Sequence, residues 1–293
     1  MSAMFHQLTI LGPGLLGGSL GMAAHRLGLA ERIIVWSRRA ESRVACEEQP
    51  WCAGTEATPE AAAAGADLIV LCTPVDHIVP LAEAIADAVQ PDCLITDVGS
   101  TKSLITRHAT AAFRKNGAFV GAHPMAGSDK TGLAHARSDL FRNRPCFVTP
   151  LPDSPADAVE RTIRFWDALD MEVTTTSPER HDEMVAHISH LPHLLASLLC
   201  AHLAGRGDHW EAVAGQGLAD TTRIAGGDPH LWRAIFDTNR EEVLRSLDEF
   251  QQTVDRFQTA LRNRRPLEIV QLLEEGRAFR KRLDPKLPEE AAP

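Results

Sequence analysis

The first half of the chain alternates short runs of consecutive apolar residues with stretches of helical periodicity. The runs are Gln7–Leu11, Ile33-Ile34-Val35-Trp36, Leu68-Ile69-Val70-Leu71, Leu94-Ile95-Thr96, Ala118-Phe119-Val120-Gly121 and Cys146-Phe147-Val148. Continuous runs, in place of an in-out alternation, suit strands covered on both faces, and intervening helices supply the cover. The pattern predicts an α/β domain with a doubly wound parallel sheet of Rossmann type. A proline-rich stretch, Thr149–Pro155, precedes one more unit, with a helix through Val159, Phe165 and Leu169 and a strand at Glu172-Val173-Thr174. Past Ser177-Pro178 no strand-like run survives, so the chain is expected to divide into residues 1–177, an all-helical domain over 178–285, and a disordered tail at 286–293. Val243, Leu247, Phe250, Val254, Phe257 and Leu261 recur at steps of four and three, the stripe of a long helix. That stripe suits either an internal core or a dimer interface.

Composition narrows the partners more than the fold. Hydrophobic residues at 44% and a mean hydropathy of -0.14 describe a chain able to bury a core. A net charge of -9 counts against nucleic acid, whose phosphates demand a surplus of Lys and Arg. No run approaches the roughly 18 uninterrupted apolar residues of a membrane span, and no basic-then-apolar leader opens the chain. The six cysteines are scattered, with no C-x-x-C pair and no histidines at zinc-finger spacing. The expectation is a cytoplasmic protein without a structural metal or a membrane, acting on a small molecule.

Gly12-Pro13-Gly14-Leu15-Leu16-Gly17 stands between the first predicted strand and the first predicted helix. In that position the first glycine permits a tight turn, the second admits a pyrophosphate to the backbone, and the third lets helix pack on strand. The unpaired N–H groups of the helix N-terminus face the anion. A dinucleotide is therefore expected here. Enzymes that prefer NAD usually end the second strand on an acidic residue, whereas this chain reads Ser37-Arg38-Arg39. A hydroxyl and two guanidinium groups can donate to a 2′-phosphate, so NADP is expected over NAD, the bland alternative being two solvated arginines.

Three further clusters hold groups suited to chemistry: Asp97-Val98-Gly99-Ser100, Gly121 to Gly127 around His123, and Ser189-His190-Leu191-Pro192-His193. Together with the glycine loop, His181-Asp182, Thr221-Thr222-Arg223-Ile224-Ala225 and Asp228-Pro229-x-x-Trp232-Arg233, they make the chain from Leu8 to Leu283 resemble the prephenate/arogenate (cyclohexadienyl) dehydrogenase family of tyrosine biosynthesis. The resemblance implies a C-terminal helical domain that pairs two subunits, and an oxidative decarboxylation. Hydride leaves the carbinol carbon of a cyclohexadienyl ring for the nicotinamide, and loss of carbon dioxide aromatises the ring. It implies His123 as the proton acceptor, with Ser100 hydrogen-bonding the same hydroxyl. An imidazole with a pKa near ~6.5 is matched to that task at neutral pH. It also implies Arg223 on the ring carboxylate, His193 and Trp232 in the substrate pocket, and Thr73-Pro74 beside the cofactor, with His181 and His190 as orienting or structural groups.

Two stretches depart from the family pattern. Gly215-Gln216-Gly217-Leu218-Ala219-Asp220 stands where many relatives carry Gly-Gly-Phe-Arg-Asp, and Ala225-Gly226-Gly227 follows Arg223. These positions leave prephenate and arogenate both open. A β-hydroxyacid-type dehydrogenase of like architecture would need a catalytic lysine, and lysine is absent between Ser177 and Arg265. A non-catalytic NADP-binding sensor would have no use for the Ser100, His123, His193 and Arg223 set.

Overall fold

A computed structural model describes residues 3–127, 130–206 and 210–283; the tail predicted at 286–293 lies outside the described residues. Six parallel strands form the main sheet: β1 (Phe5–Leu11), β2 (Ala30–Trp36), β3 (Gly54–Glu56), β4 (Leu68–Leu71), β5 (Leu94–Asp97) and β6 (Ala118–Phe119). Their order, β3-β2-β1-β4-β5-β6, is the nucleotide-binding order in which the chain reverses direction between β1 and β4. Helices α1 (Leu15–Leu27), α2 (Ala40–Glu47), α3 (Pro59–Ala63), α4 (Val75–Ile85) and α5 (Ser103–Ala112) make the crossovers. All four residues of β4 are buried, as a strand covered on both faces requires. Each such aliphatic side chain contributes about 1.5–3 kcal/mol through burial.

The predicted strand at Ala118–Gly121 divides in two. Ala118 and Phe119 pair with Leu94 and Ile95 of β5, whereas β7 (Gly121–Pro124) runs antiparallel to β8 (Pro145–Thr149) in a second sheet. That sheet is completed by β9 (Glu172–Thr175), which follows α6 (Ala156–Asp167) and pairs with β8 in parallel. The expected all-parallel series is thus corrected to a parallel sheet with a small mixed one beside it. His123 lies within β7. The short strand β3 has no apolar run and escaped the pattern; it is an edge strand held by β2 alone.

Ser177 caps α7 (Pro178–Val185), its Oγ accepting from the Arg180 N–H at 3.1 Å with Pro178 at the first helical position. One π-turn, Ala186–His190, joins α7 to α8 (Leu191–Ala204). The joined helix is long and apolar enough to cross a membrane by composition. Its buried His181, Asp182, His190 and His193 mark it instead as a helix packed within protein. Then come α9 (Gln216–Thr222), α10 (Pro229–Thr238), α11 (Arg240–Arg262) and α12 (Pro266–Leu283). Contacts divide the chain at Val243/Leu244, inside α11, so α7 to α10 share a compact unit with the sheets. In the second unit Leu261, Leu267, Val270, Leu273 and Phe279 are exposed.

Candidate active site

The glycine turn forms as its sequence requires. Gly12 sits at φ 107°, a conformation that L side chains rarely adopt, and a Cβ there would approach the Cys72 carbonyl oxygen to 2.8 Å. At Gly17 a Cβ would meet the Gly12 carbonyl at 2.2 Å, so the third glycine is what brings α1 down onto the turn. Above it opens a groove of about 890 Å³ whose lining includes Gly12, Gly14, Ser37, Arg38, Arg39, Thr73 and Pro74. Leu15 and Leu16 form the first turn of α1, where they offer backbone N–H groups, and Leu16 also packs against the core. Gly14 caps α1 without a side chain, and the buried Thr73 hydroxyl has no partner among the described residues. Unfilled donors at a helix start and an orphaned hydroxyl fit a bound dinucleotide.

His123 and Ser100 lie beyond the carboxyl end of β5, the edge on which the glycine turn follows β1 and Thr73 follows β4. His123 Nδ1 is 2.8 Å from His181 Nε2, and His181 Nδ1 is 2.8 Å from Asp182 Oδ1. An ionised carboxylate only accepts, so His181 carries its proton on Nδ1 and accepts at Nε2. His123 must then donate from Nδ1, which leaves its Nε2 lone pair free. Burial opposes ionisation of Asp182, yet the His181 bond and the N–H groups of Ser103 and Lys102 outweigh it and hold the carboxyl below the usual range. Burial, followed by the neighbouring His181, Lys102 and His190, pushes His123 well below the ordinary imidazole pKa. It is therefore a neutral proton acceptor throughout the neutral range.

A buried ion pair, absent from the expectations above, underlies this line. Lys102 and Asp97 are both fully buried and paired, and Lys102 Nζ also donates to the Ala122 carbonyl at 2.9 Å. Asp97 in turn accepts from the backbone N–H groups of Gly99 (2.8 Å) and Ala122 (3.0 Å), fixing the residue before His123 from both sides. Burial pulls the Lys102 pKa down, against the pull of Asp97. From the helical side, Asp182 takes the N–H of Lys102 at 2.7 Å and of Ser103 at 2.8 Å, capping α5 across about eighty residues of chain. The aspartate at the end of β5 was visible in the sequence; its lysine partner was not, because burial of a charge pair leaves no mark in spacing.

The π-turn adds one residue to the helical repeat, so that His181, Asp182, His190 and His193 all turn inward. Asn239 donates to the His190 ring (3.2 Å) and to the Asp182 carbonyl (2.9 Å). Burial lowers His190 to about 4 and also lowers His193. His193 stacks on Trp232 with ring centroids 3.5 Å apart, and His190 meets the same indole edge-on. Asp228 caps α10 through the His230 N–H at 2.9 Å, which orients the turn carrying Trp232. Arg223 opens a 3-10 turn, Arg223–Gly226, and the next residue, Gly227, packs against Trp232 and His193. The guanidinium itself is exposed and makes no hydrogen bond or ion pair among the described residues.

Family models for "Prephenate dehydrogenase, nucleotide-binding domain" and "Prephenate dehydrogenase, dimerization domain" match residues 20–175 and 177–275. The chain belongs to the prephenate dehydrogenase family. It is 31% identical to the prephenate dehydrogenase of Bacillus subtilis over 263 residues, 88% of this chain and 71% of that one. A crystal structure of prephenate dehydrogenase from A. aeolicus with hydroxyphenyl propionate and NAD+ superposes with a TM-score of 0.90 at 26% identity, covering 95% of this chain and 98% of that one. Synechocystis arogenate dehydrogenase superposes with a TM-score of 0.82 at 28% identity, covering 94% and 99%. Membership in this family makes the chain an NAD(P)-dependent oxidoreductase and sets aside the β-hydroxyacid and sensor alternatives.

Proposed function

We propose that this enzyme oxidises and decarboxylates prephenate, arogenate or both in tyrosine biosynthesis, with His123 Nε2 as the proton acceptor. The hydrogen-bonded line from Asp182 through His181 to His123 carries the reading, because it leaves one imidazole nitrogen of His123 an acceptor. When bound, the dinucleotide supplies the hydride-accepting ring. His123 takes the hydroxyl proton as the carbinol C–H bond weakens, and Ser100 hydrogen-bonds the same oxygen. The bond from ring to carboxylate then breaks, carbon dioxide departs, and its electron pair passes through the ring to the carbonyl oxygen, which takes back the proton held by His123 to give the aromatic phenol. Arg223 grips that carboxylate, while His193 and Trp232 form the pocket wall. Burial of His123 with His181 and His190 strengthens the polar contacts that His123 makes.

NADP is the preferred cofactor in this reading, with NAD usable. Ser37, Arg38 and Arg39 line the groove at the end of β2, and no ion pair among the described residues engages either arginine. Arg43 donates to the Ser37 carbonyl at 2.6 Å and holds that turn in place. The helical part, 178–285, is proposed to hold the substrate and to pair two copies through its exposed apolar side chains. Purified enzyme offered NADP or NAD with prephenate or arogenate, followed by the near-ultraviolet absorbance of reduced nicotinamide, tests the whole assignment. Turnover with neither substrate overturns it.

A further inference from the structure

The connection between β7 and β8 starts beside His123, and its residues 132–137 rest against α1. Its base is closed by the Met125 N–H donating to the Pro145 carbonyl at 2.8 Å, two residues from His123. Farther along, Gly132 and Leu133 line the same groove as Gly12 and Gly14. Leu133 seats on α1 at Gly18, where an added Cβ would come within 2.5 Å of its Cδ1 and 3.0 Å of the Ala136 Cβ. One residue on, the fully buried Ser19 Oγ accepts the Arg137 N–H at 3.0 Å. Gly18 and Ser19 lie past the third glycine of the turn, which the dinucleotide motif does not require. Their side-chain choices are instead accounted for by what rests on them.

We propose that residues 132–137 form a strap of the dinucleotide site, with Gly132 and Leu133 as binding residues and Gly18 and Ser19 as the positioning residues that seat them. Gly18 is the choice that permits this, because alanine would favour the helix but would lift Leu133 off α1. The inference rests on the groove holding a nicotinamide dinucleotide.

Calorimetric titration of NADP and NAD into the wild type, Leu133→Ala, Gly18→Ala, Ser19→Ala and the Gly18→Ala/Leu133→Ala pair tests it, with no substrate present. Gly18→Ala and Leu133→Ala are each expected to weaken Kd about tenfold without lowering Tm, and the double variant to fall little further than either, because both act through the same seat. Saturating NADP is expected to slow tryptic cleavage after Arg137 in the wild type and not in Leu133→Ala. Wild-type affinity in both single variants at positions 18 and 133, or no protection at Arg137, overturns the strap. Failure of the wild type to bind either nucleotide overturns instead the reading on which it rests.

Discussion

His123 Nδ1 and His181 Nε2 stand 2.8 Å apart, and the direction of the proton between them is set by a third residue, Asp182. Because Asp182 claims the only proton of neutral His181, His123 presents an acceptor at Nε2. Replacing His123 by Asn removes that acceptor while keeping a polar group of similar size. The expected loss is ~10²–10⁴ in kcat with nucleotide affinity nearly intact. Steady-state turnover and a nucleotide titration check it, and normal turnover would refute the role.

His181 acts on the substrate only through His123. His181→Asn is expected to lower kcat by about 10- to 100-fold, the usual cost of losing an orienting partner, while the KM for nucleotide holds. Comparison of kcat/KM profiles against pH adds a second readout: removal of a neighbour that lowers the His123 pKa moves the acid limb to higher pH. An unchanged limb with unchanged kcat would reduce His181 to a structural group.

Arg223 is exposed and pairs with no carboxylate among the described residues, which leaves it available to a ligand. Arg223→Ala is expected to raise the substrate KM more than it lowers kcat, since the carboxylate it grips is present already in the ground state. The reverse pattern in initial-rate kinetics would argue against this placement.

Cofactor choice is expected to turn on the end of β2. Ser37→Asp with Arg38→Ala places a carboxylate where a 2′-phosphate would sit and removes one guanidinium. The ratio of kcat/KM for NADP over NAD should reverse. No change in that ratio would sink the assignment.

Burial lowers the His190 pKa to about 4, while an unfolded chain binds that proton near ~6.5. Between those values the unfolded state holds more protons, so stability is full above ~6.5 and falls as pH drops toward 4. The total for this one group is about 3 kcal/mol, and His123, His181 and His193 shift in the same sense. Denaturant unfolding at pH 8 to 5 checks it. In His190→Asn the slope should be shallower, and an identical slope would contradict the assignment.

The apolar runs by themselves determined the Rossmann core. Burial on both faces forces consecutive hydrophobic residues into a strand, and the glycine turn follows from a backbone angle that only glycine adopts readily. What the chain order could not reveal is anything set by partners distant in sequence. Ala118–Gly121 reads as one strand, yet its two halves are claimed by β5 and β8 in different sheets. Lys102 looks like an ordinary surface lysine until Asp97 and the Ala122 carbonyl surround it. The tautomer of His123 depends on His181 and Asp182, about sixty residues away, and the seat of Leu133 on Gly18 spans more than a hundred. Spacing along a chain encodes local geometry, whereas proton position and steric fit are decided by whichever groups folding brings together.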